Sequence, residues 1–166
     1  MSMLTKLKYA GVSRDDLLDV YKLFIRSIAE YCAVVFHSSL TVSQATDQER
    51  IQKICLKIIL GDLYTTYSDA LELVGFQTLH DHSEKQCLDF AQKSRKHLIH
   101  RRLFPINNKQ AKESADIRQR EPFIVNFART ERYRKSAIPF CQRILNTHYQ
   151  AKKLNKNKKQ RKECKW

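Results

Sequence analysis

Apolar residues recur every three or four positions along two stretches near the start of the chain. The first stretch follows Ser13 and Asp16, whose spacing is that of a helix-capping box. Its apolar positions are Leu17, Leu18, Tyr21, Phe24, Ile28, Cys32 and Val35. The second stretch follows Thr41 and Gln44, which repeat the capping pattern, and it ends at Gly61. Its apolar positions are Val42, Ala45, Ile51, Ile54, Cys55, Ile58 and Ile59. This spacing predicts two amphipathic helices, and the short connection between them predicts an antiparallel helical hairpin.

Shorter segments continue the helical pattern on both sides of the hairpin. Residues 2–10 are predicted to form a helix that stops at Gly11, and Ser68 is the predicted cap of a small helix over residues 69–74. Thr78 is the predicted cap of a further helix that runs to about residue 97. The candidate core positions of that helix are Leu79, Cys87, Leu88, Phe90, Ala91 and Leu98. We therefore predict an all-α protein, a small helical bundle built on the antiparallel hairpin.

Beyond residue 100 the pattern changes. Pro105 disfavours helix at the residue before it, residues 106–122 are polar without a period, and residues 123–127 suit a short extended piece. Ser136 is the predicted cap of a last helix, and from Ala151 the chain is rich in Lys, Asn and Gln. The predicted organisation has three parts. They are a bundle over residues 1–100, a basic loop and terminal helix packing on it over 101–150, and a disordered basic tail over 151–166.

Composition supports helices and an intracellular setting. Only 3 Gly and 3 Pro occur among 166 residues, which is few for a barrel or a sandwich. No apolar run is long enough to span a membrane, and the N-terminal residues lack the apolar core of a secretory signal. The 5 Cys are widely spaced without a CxxC pair, as expected of reduced thiols. We expect the nucleus or the cytoplasm as the location.

The net charge of +14 is unevenly divided along the chain. Residues 1–91 have a net charge of −3, residues 92–135 of +9, and residues 151–166 of +7. An acidic helical body followed by a basic extension is typical of proteins that bind a polyanion. The alternative is a solvated basic surface with no specific partner, because blocks of like charge often form disordered arms.

The residues that catalysis needs are missing from the pattern. A polymerase holds two metal ions with converging carboxylates, but no YxDD-type strand occurs, and Asp15 and Asp16 belong to the capping box. Glycine-rich phosphate loops, GxSxG and HExxH are also missing. We therefore predict no enzymatic activity, no catalytic residues and no cofactor.

Histidine and cysteine form only incomplete metal-ligand sets. The candidates are the pair His80 and His82, the pair His97 and His100, and the series Cys141, His148 and Cys164. Each lacks the further ligands that a tetrahedral site requires, so we predict no metal site.

Basic residues interleaved with tyrosine are the positive finding. The candidate nucleic-acid-binding residues are Arg95, Lys96, Arg101, Arg102, Arg129, Arg132, Tyr133, Arg134 and Lys135. Arginine forms bidentate hydrogen bonds with phosphates, and Tyr133 is expected to stack on a sugar or base. In the alternative interpretation Tyr133 packs into the core and the cations solvate its surroundings.

Six strings in fixed order resemble one family. They are KYAGVSRDDLLDVYKLFIRSIAEY, VFHSSLT, ERIQKICLKIILG, YSDALELVGFQTLHDHSEKQCLDFAQK, LFP and RTERYRKSAIPFCQRILN. Together they resemble the region downstream of the palm in reverse transcriptases of endonuclease-bearing non-LTR retrotransposons, over about residues 4–147. The resemblance implies a thumb-like helical body that grips a template–primer duplex, with residues 129–136 as the basic segment after it. Fingers, palm and endonuclease have no counterpart here, and neither do the four ligands of the zinc knuckle that some relatives carry.

The expected partner is therefore RNA, DNA or an RNA–DNA hybrid, bound through its phosphates. A competing hypothesis is a helical protein-interaction remnant, or a non-functional retroelement fragment, whose apolar faces once lay against the palm. Such exposed faces would drive self-association. A metal-dependent enzyme is the third hypothesis, and it requires bound metal.

Overall fold

Every regular element is helical in the residues that this computed structural model describes, which are 3–107 and 121–163. The one pairing of extended residues in that part of the chain is an isolated antiparallel bridge between Ile106 and Phe123. The predicted all-α class is confirmed.

The chain forms two compact units, Met1–Gln86 and Cys87–Trp166. The first unit contains α1 (Met3–Tyr9), α2 (Arg14–Val20), a π-helical turn (Tyr21–Arg26), α3 (Ser27–Ala29), α4 (Ala33–Phe36), α5 (Val42–Leu60), α6 (Tyr67–Val74) and the start of α7 (Leu79–Lys96). Short 3₁₀ turns lie at His37–Ser39 and Gly61–Leu63. The second unit contains the rest of α7, a 3₁₀ turn (His100–Leu103), α8 (Glu131–Arg134) and α9 (Ala137–Glu163).

The two units divide the chain within α7, between Gln86 and Cys87, whereas the sequence predicted a boundary at residue 100. Near the start of α7 the Leu79 amide donates to the Glu49 carboxylate. From Cys87 onward it packs with α9, where the buried Cys141 thiol donates to the Cys87 carbonyl. The start of α9 therefore packs against the part of α7 that belongs to the second unit.

Helix α5 carries the core of the first unit on two adjoining faces. One cluster joins Cys55 and Ile59 to side chains of α1, α2 and the π-helical turn, which are Leu4, Leu17 and Tyr21. A second cluster joins Leu56 and Leu60 to side chains of α6, which are Ala70 and Leu71.

The buried face of α5 differs from the predicted apolar stripe, because it lies toward the next residue along the helix. Val42 is 86% exposed, and Ile51 and Ile54 are exposed as well, whereas Gln52 is fully buried. The reason is that α5 serves two clusters, which together bury a wider face, and this face includes a polar residue that finds hydrogen-bond partners there.

The second half of the first predicted stripe is also exposed. Phe24 is 58% and Ile28 76% exposed, and Cys32 and Val35 lie on the surface as well. Two backbone irregularities account for this. The π-helical turn alters the three- and four-residue register, and Cys32 has a left-handed φ of 55° that ends the helical run before α4.

Most of the helix caps that the sequence predicted are present in the structure. Thr41 and Gln44 form a reciprocal capping box at the start of α5, and the Asp81 amide donates to the Thr78 hydroxyl. Helix α6 is capped by Thr66 instead of Ser68, because Thr66 has the extended backbone from which its hydroxyl accepts the Asp69 amide.

Helix α7 buries small side chains. Leu79, Cys87 and Ala91 are buried as predicted, whereas Phe90 and Leu98 are exposed. The buried stripe is completed by Ser83 and Ser94, whose small size permits close packing but gives no hydrophobic signal.

The sequence predicted a disordered tail over residues 151–166, whereas α9 continues to Glu163 in the structure. Lys, Gln, Arg and Ala are good helix formers, and the segment contains neither Gly nor Pro. Extending a helix that is already nucleated at Ala137 also costs less than starting a new one. Residues 164–166, and most of the predicted loop over 106–122, lie outside the described residues.

In the described part of the chain, none of the helices has the length and apolar character needed to cross a membrane.

Candidate nucleic-acid interface

All nine predicted nucleic-acid-binding residues lie in the second unit, and all are exposed. Arg95 and Lys96 end α7, Arg101 and Arg102 lie in the 3₁₀ turn, and the remainder surround α8. Tyr133 is 44% exposed, so its ring does not lie in the core.

The buried Gln142 of α9 connects two of these basic segments. Its amide nitrogen donates to the Leu103 carbonyl at 2.7 Å, directly after Arg102. Its amide oxygen accepts the Asn126 backbone amide at 2.8 Å, three residues before Arg129. One side chain thus holds the backbone of the 3₁₀ turn and the backbone leading to α8 close together.

Asn146, one helical turn further along α9, fixes the segment before α8 at a second point. Its side chain is almost fully buried, accepts the Phe123 amide at 2.9 Å and donates to the Phe123 carbonyl at 3.0 Å. It also donates to the Glu121 carboxylate at 2.9 Å. An asparagine amide can satisfy both backbone groups of one residue, so Phe123 is held as a paired strand residue would be.

The cations around α8 are not equally available. Arg134 makes two hydrogen bonds of 2.8 Å to the Glu131 carboxylate, and Lys135 lies 3.7 Å from the same group. The bond from Arg134 is the main reason why the pKa of Glu131 is lowered. Two of the predicted cations therefore share one carboxylate.

Four other cations have no carboxylate partner among the described residues. In the part of the chain that the structure describes, Arg101, Arg102, Arg129 and Arg132 make no salt bridge, and all four are exposed. A guanidinium group can form bidentate hydrogen bonds with a phosphate.

Arg95 and Lys96 line a pocket of about 330 Å³ that sequence reasoning missed. We call it the α7–α9 pocket. Its lining residues are Gln92, Arg95 and Lys96 from α7, Leu145, His148, Tyr149 and Lys152 from α9, and Phe123. The sequence spacing could have indicated the pocket, because its lining residues from α7 and those from α9 each follow the three- and four-residue steps of one helix face. The predicted end of the helical structure near residue 150 concealed it.

The metal-ligand candidates are arranged differently from the sequence pairs. His80 has donor atoms within 4.8 Å of those of Asp81 and Glu84, and all three residues are exposed. The other predicted member, His82, instead places its Nδ1 2.8 Å from the Glu30 carboxylate. Sequence spacing missed Glu84, which lies one helical turn after His80.

The remaining candidates serve other contacts. The His97 and His100 rings stack with centroids 4.4 Å apart. Cys141 is buried, and its interaction with Cys87, together with burial, raises the pKa of its thiol. Since metals bind the thiolate, this environment disfavours a ligand role. His148 lines the α7–α9 pocket, and Cys164 lies outside the described residues.

Comparison of the chain with known protein families, with curated proteins and with solved structures found no match.

Proposed function

We propose that the second unit binds nucleic acid through its phosphates, as a non-catalytic module related to the thumb region of a retrotransposon reverse transcriptase. The observation that carries the proposal is the set of four exposed arginines without a salt bridge among the described residues, which are Arg101, Arg102, Arg129 and Arg132. Gln142 holds the backbones beside the two pairs close together.

The division of charge between the two units supports the same proposal. Residues 87–166 contain 22 Lys and Arg against 6 Asp and Glu, whereas residues 1–86 contain 9 against 11. Net positive charge is thus concentrated in the second unit. When such a surface binds a nucleic acid, its cations release the counterions condensed on the phosphate backbone, which favours binding. A module of this kind recognises the shape and charge of a duplex, and RNA or an RNA–DNA hybrid is the form that the thumb resemblance favours.

The first test measures affinity for a labelled RNA–DNA hybrid by fluorescence anisotropy at several salt concentrations. We expect the logarithm of the association constant to fall linearly with the logarithm of salt concentration, with a slope of about 0.9 per phosphate contact. Changing Arg101, Arg102, Arg129 and Arg132 together to Gln should weaken binding by roughly tenfold or more at moderate salt and reduce the slope.

The matched control changes four exposed cations of the first unit to Gln, which are Arg14, Arg50, Lys57 and Lys85. It alters the net charge by the same amount, so its affinity should stay close to that of the parent chain. Absence of binding at low salt, binding without a salt slope, or equal losses in both variants would contradict the proposal.

A second candidate function rests on the exposed apolar residues of the first unit. Leu23, Phe24, Ile28, Tyr31 and Val35 are all more than half exposed within thirteen consecutive positions. Isolated exposed apolar side chains are ordinary, but a concentration of them is typical of a protein–protein contact. The occupant that this candidate proposes is a second copy of the same chain.

Light scattering over a range of protein concentrations tests this candidate. We expect the average mass to rise above that of one chain as the concentration increases, because pairing removes apolar surface from water. The triple variant Phe24→Gln, Ile28→Gln and Tyr31→Gln should remain monomeric. The control Tyr9→Gln with Val42→Gln, at exposed apolar positions outside this group, should associate like the parent. A parent chain that stays monomeric at every concentration would remove the candidate.

A further inference from the structure

The α7–α9 pocket combines cations with an accessible aromatic ring. Arg95 and Lys96 are neighbours at the end of α7, and Lys152 enters from α9. Among the described residues that line the pocket, none carries a carboxylate, so this part of the lining is positively charged. A pocket of this charge attracts an anion.

Arg95 is positioned by an aromatic ring and makes no salt bridge to the described residues. Its guanidinium lies over the Phe123 ring, 4.5 Å from the centroid, and Phe123 is in turn fixed by Asn146. Stacking on an aromatic face leaves the in-plane N–H groups of arginine available as donors. The geometry therefore prepares Arg95 to donate to a phosphate.

Tyr149 supplies a surface for a planar ring. Its ring meets Phe123 edge to face, with centroids 6.4 Å apart and an interplanar angle of 86°. This contact holds the tyrosine in place, while 51% of the residue stays exposed. Every nucleobase has a π-face, so such a tyrosine accepts a base without regard to sequence.

The volume limits what the pocket can hold. At about 330 Å³ it is near the lower end of the range for small-molecule sites, which suits one small ligand and not a duplex. We infer that the α7–α9 pocket binds a single unpaired nucleotide at the end of a nucleic-acid strand. Arg95, Lys96 and Lys152 hold its phosphate, and its base stacks on Tyr149. This inference rests on the proposed function, and it adds to phosphate binding along the duplex a preference for unpaired ends.

The experiment compares a blunt RNA–DNA hybrid with hybrids of the same sequence that carry three unpaired nucleotides at a 3′ or a 5′ end. We expect at least one of the extended hybrids to bind roughly fivefold or more tightly than the blunt one, as the stacking of one base implies. Tyr149→Leu should abolish this difference and leave the affinity for the blunt hybrid within about twofold. The control Tyr9→Leu, at an exposed tyrosine of the first unit, should retain the difference.

A second variant tests the phosphate contacts independently of the ring. Lys96→Gln with Lys152→Gln should lower the affinity for the extended hybrid more than that for the blunt hybrid, because only the former places a phosphate in the pocket. An equal loss for both hybrids would overturn the assignment of the phosphate to this site.

Two outcomes separate this inference from the proposed function. If the blunt hybrid binds with a salt slope but an unpaired end adds nothing, or if Tyr149→Leu leaves the preference intact, the pocket assignment fails and the proposed function stands. If adenosine monophosphate binds in a Tyr149-dependent manner while no hybrid binds at low salt, the proposed function fails, and the pocket is a site for free nucleotides instead of strand ends. Absence of binding to hybrids and to the mononucleotide overturns both.

Discussion

Replacing Gln52 by leucine should lower the free energy of unfolding by about 3 kcal/mol, although glutamine is a polar residue in an apolar core. Gln52 is fully buried on α5. Its amide oxygen accepts the Tyr21 hydroxyl at 2.9 Å, and its amide nitrogen donates to the Tyr67 hydroxyl at 3.0 Å and to the Gln77 carbonyl at 3.1 Å. Tyr67 in turn donates to the Glu49 carboxylate.

The cost arises from the partners that leucine would strand. Tyr21 is buried, and desolvation is the main reason why the pKa of its hydroxyl is raised, so no solvent replaces the lost acceptor. A buried polar group without a partner costs about 1–3 kcal/mol, and the Tyr21 hydroxyl is such a group. The Tyr67 hydroxyl and the Gln77 carbonyl add smaller costs, because Tyr67 keeps its bond to Glu49 and Gln77 is exposed. Some of that cost is offset because leucine is itself favourable in an apolar site.

Urea denaturation of Gln52→Leu measures this effect. The control Gln48→Leu lies on the same helix, one turn earlier, and should change stability by no more than about 0.5 kcal/mol. Adding Tyr21→Phe to Gln52→Leu should cost less than the sum of the two single changes, because the orphaned hydroxyl is removed. A leucine variant as stable as the parent would show that the network contributes nothing net.

The second large effect is expected at Asn146. Changing it to leucine should lower the free energy of unfolding by about 2 kcal/mol, since the buried Phe123 amide and carbonyl lose their hydrogen-bond partner together. Because Asn146 joins the segment before α8 to α9, the substitution should loosen this segment locally as well as lower the stability of the whole chain. We expect the Phe123 amide to exchange its hydrogen much faster in the variant than in the parent chain.

Hydrogen exchange at the Phe123 amide measures the local effect, and denaturant unfolding measures the global loss of stability. Asn146→Asp keeps the acceptor for the Phe123 amide, but it replaces the donor to the Phe123 carbonyl and to the Glu121 carboxylate by a second carboxylate. At neutral pH it should therefore be at least as unstable as the leucine variant, because a buried charge faces a like charge. The control Asn155→Leu lies on an exposed part of the same helix and should have little effect. Unchanged exchange at Phe123 in Asn146→Leu would mean that the segment is held by other contacts.

Gln142 and Asn146 show why the candidate nucleic-acid interface was only partly predictable from the sequence. The cations were recognisable, because charge segregation is a property of the sequence and does not depend on packing. Gln142 and Asn146 gave no signal, because glutamine and asparagine on a helix are usually solvent-exposed. Only a structure shows that their amides meet Leu103, Asn126 and Phe123.

The α7–α9 pocket was missed for a related reason. Its α9 residues follow one helix face, but they continue past residue 150, where a lysine-rich composition predicted disorder. Composition averages over a segment and ignores that the segment extends an existing helix, which removes the cost of nucleation.

The sequence by itself determined the all-α class, most of the caps and the concentration of basic charge in the second half, since each depends on local residue types and their spacing. Thr41, Gln44 and Thr78 act through groups within three residues of themselves, so their roles were readable without a fold. Tertiary structure alone decided which face of α5 is buried, which apolar residues between Leu23 and Val35 stay exposed, and which side chains share the α7–α9 pocket. Those outcomes depend on residues distant in sequence competing for the same contacts, and hydrophobic periodicity does not record that competition.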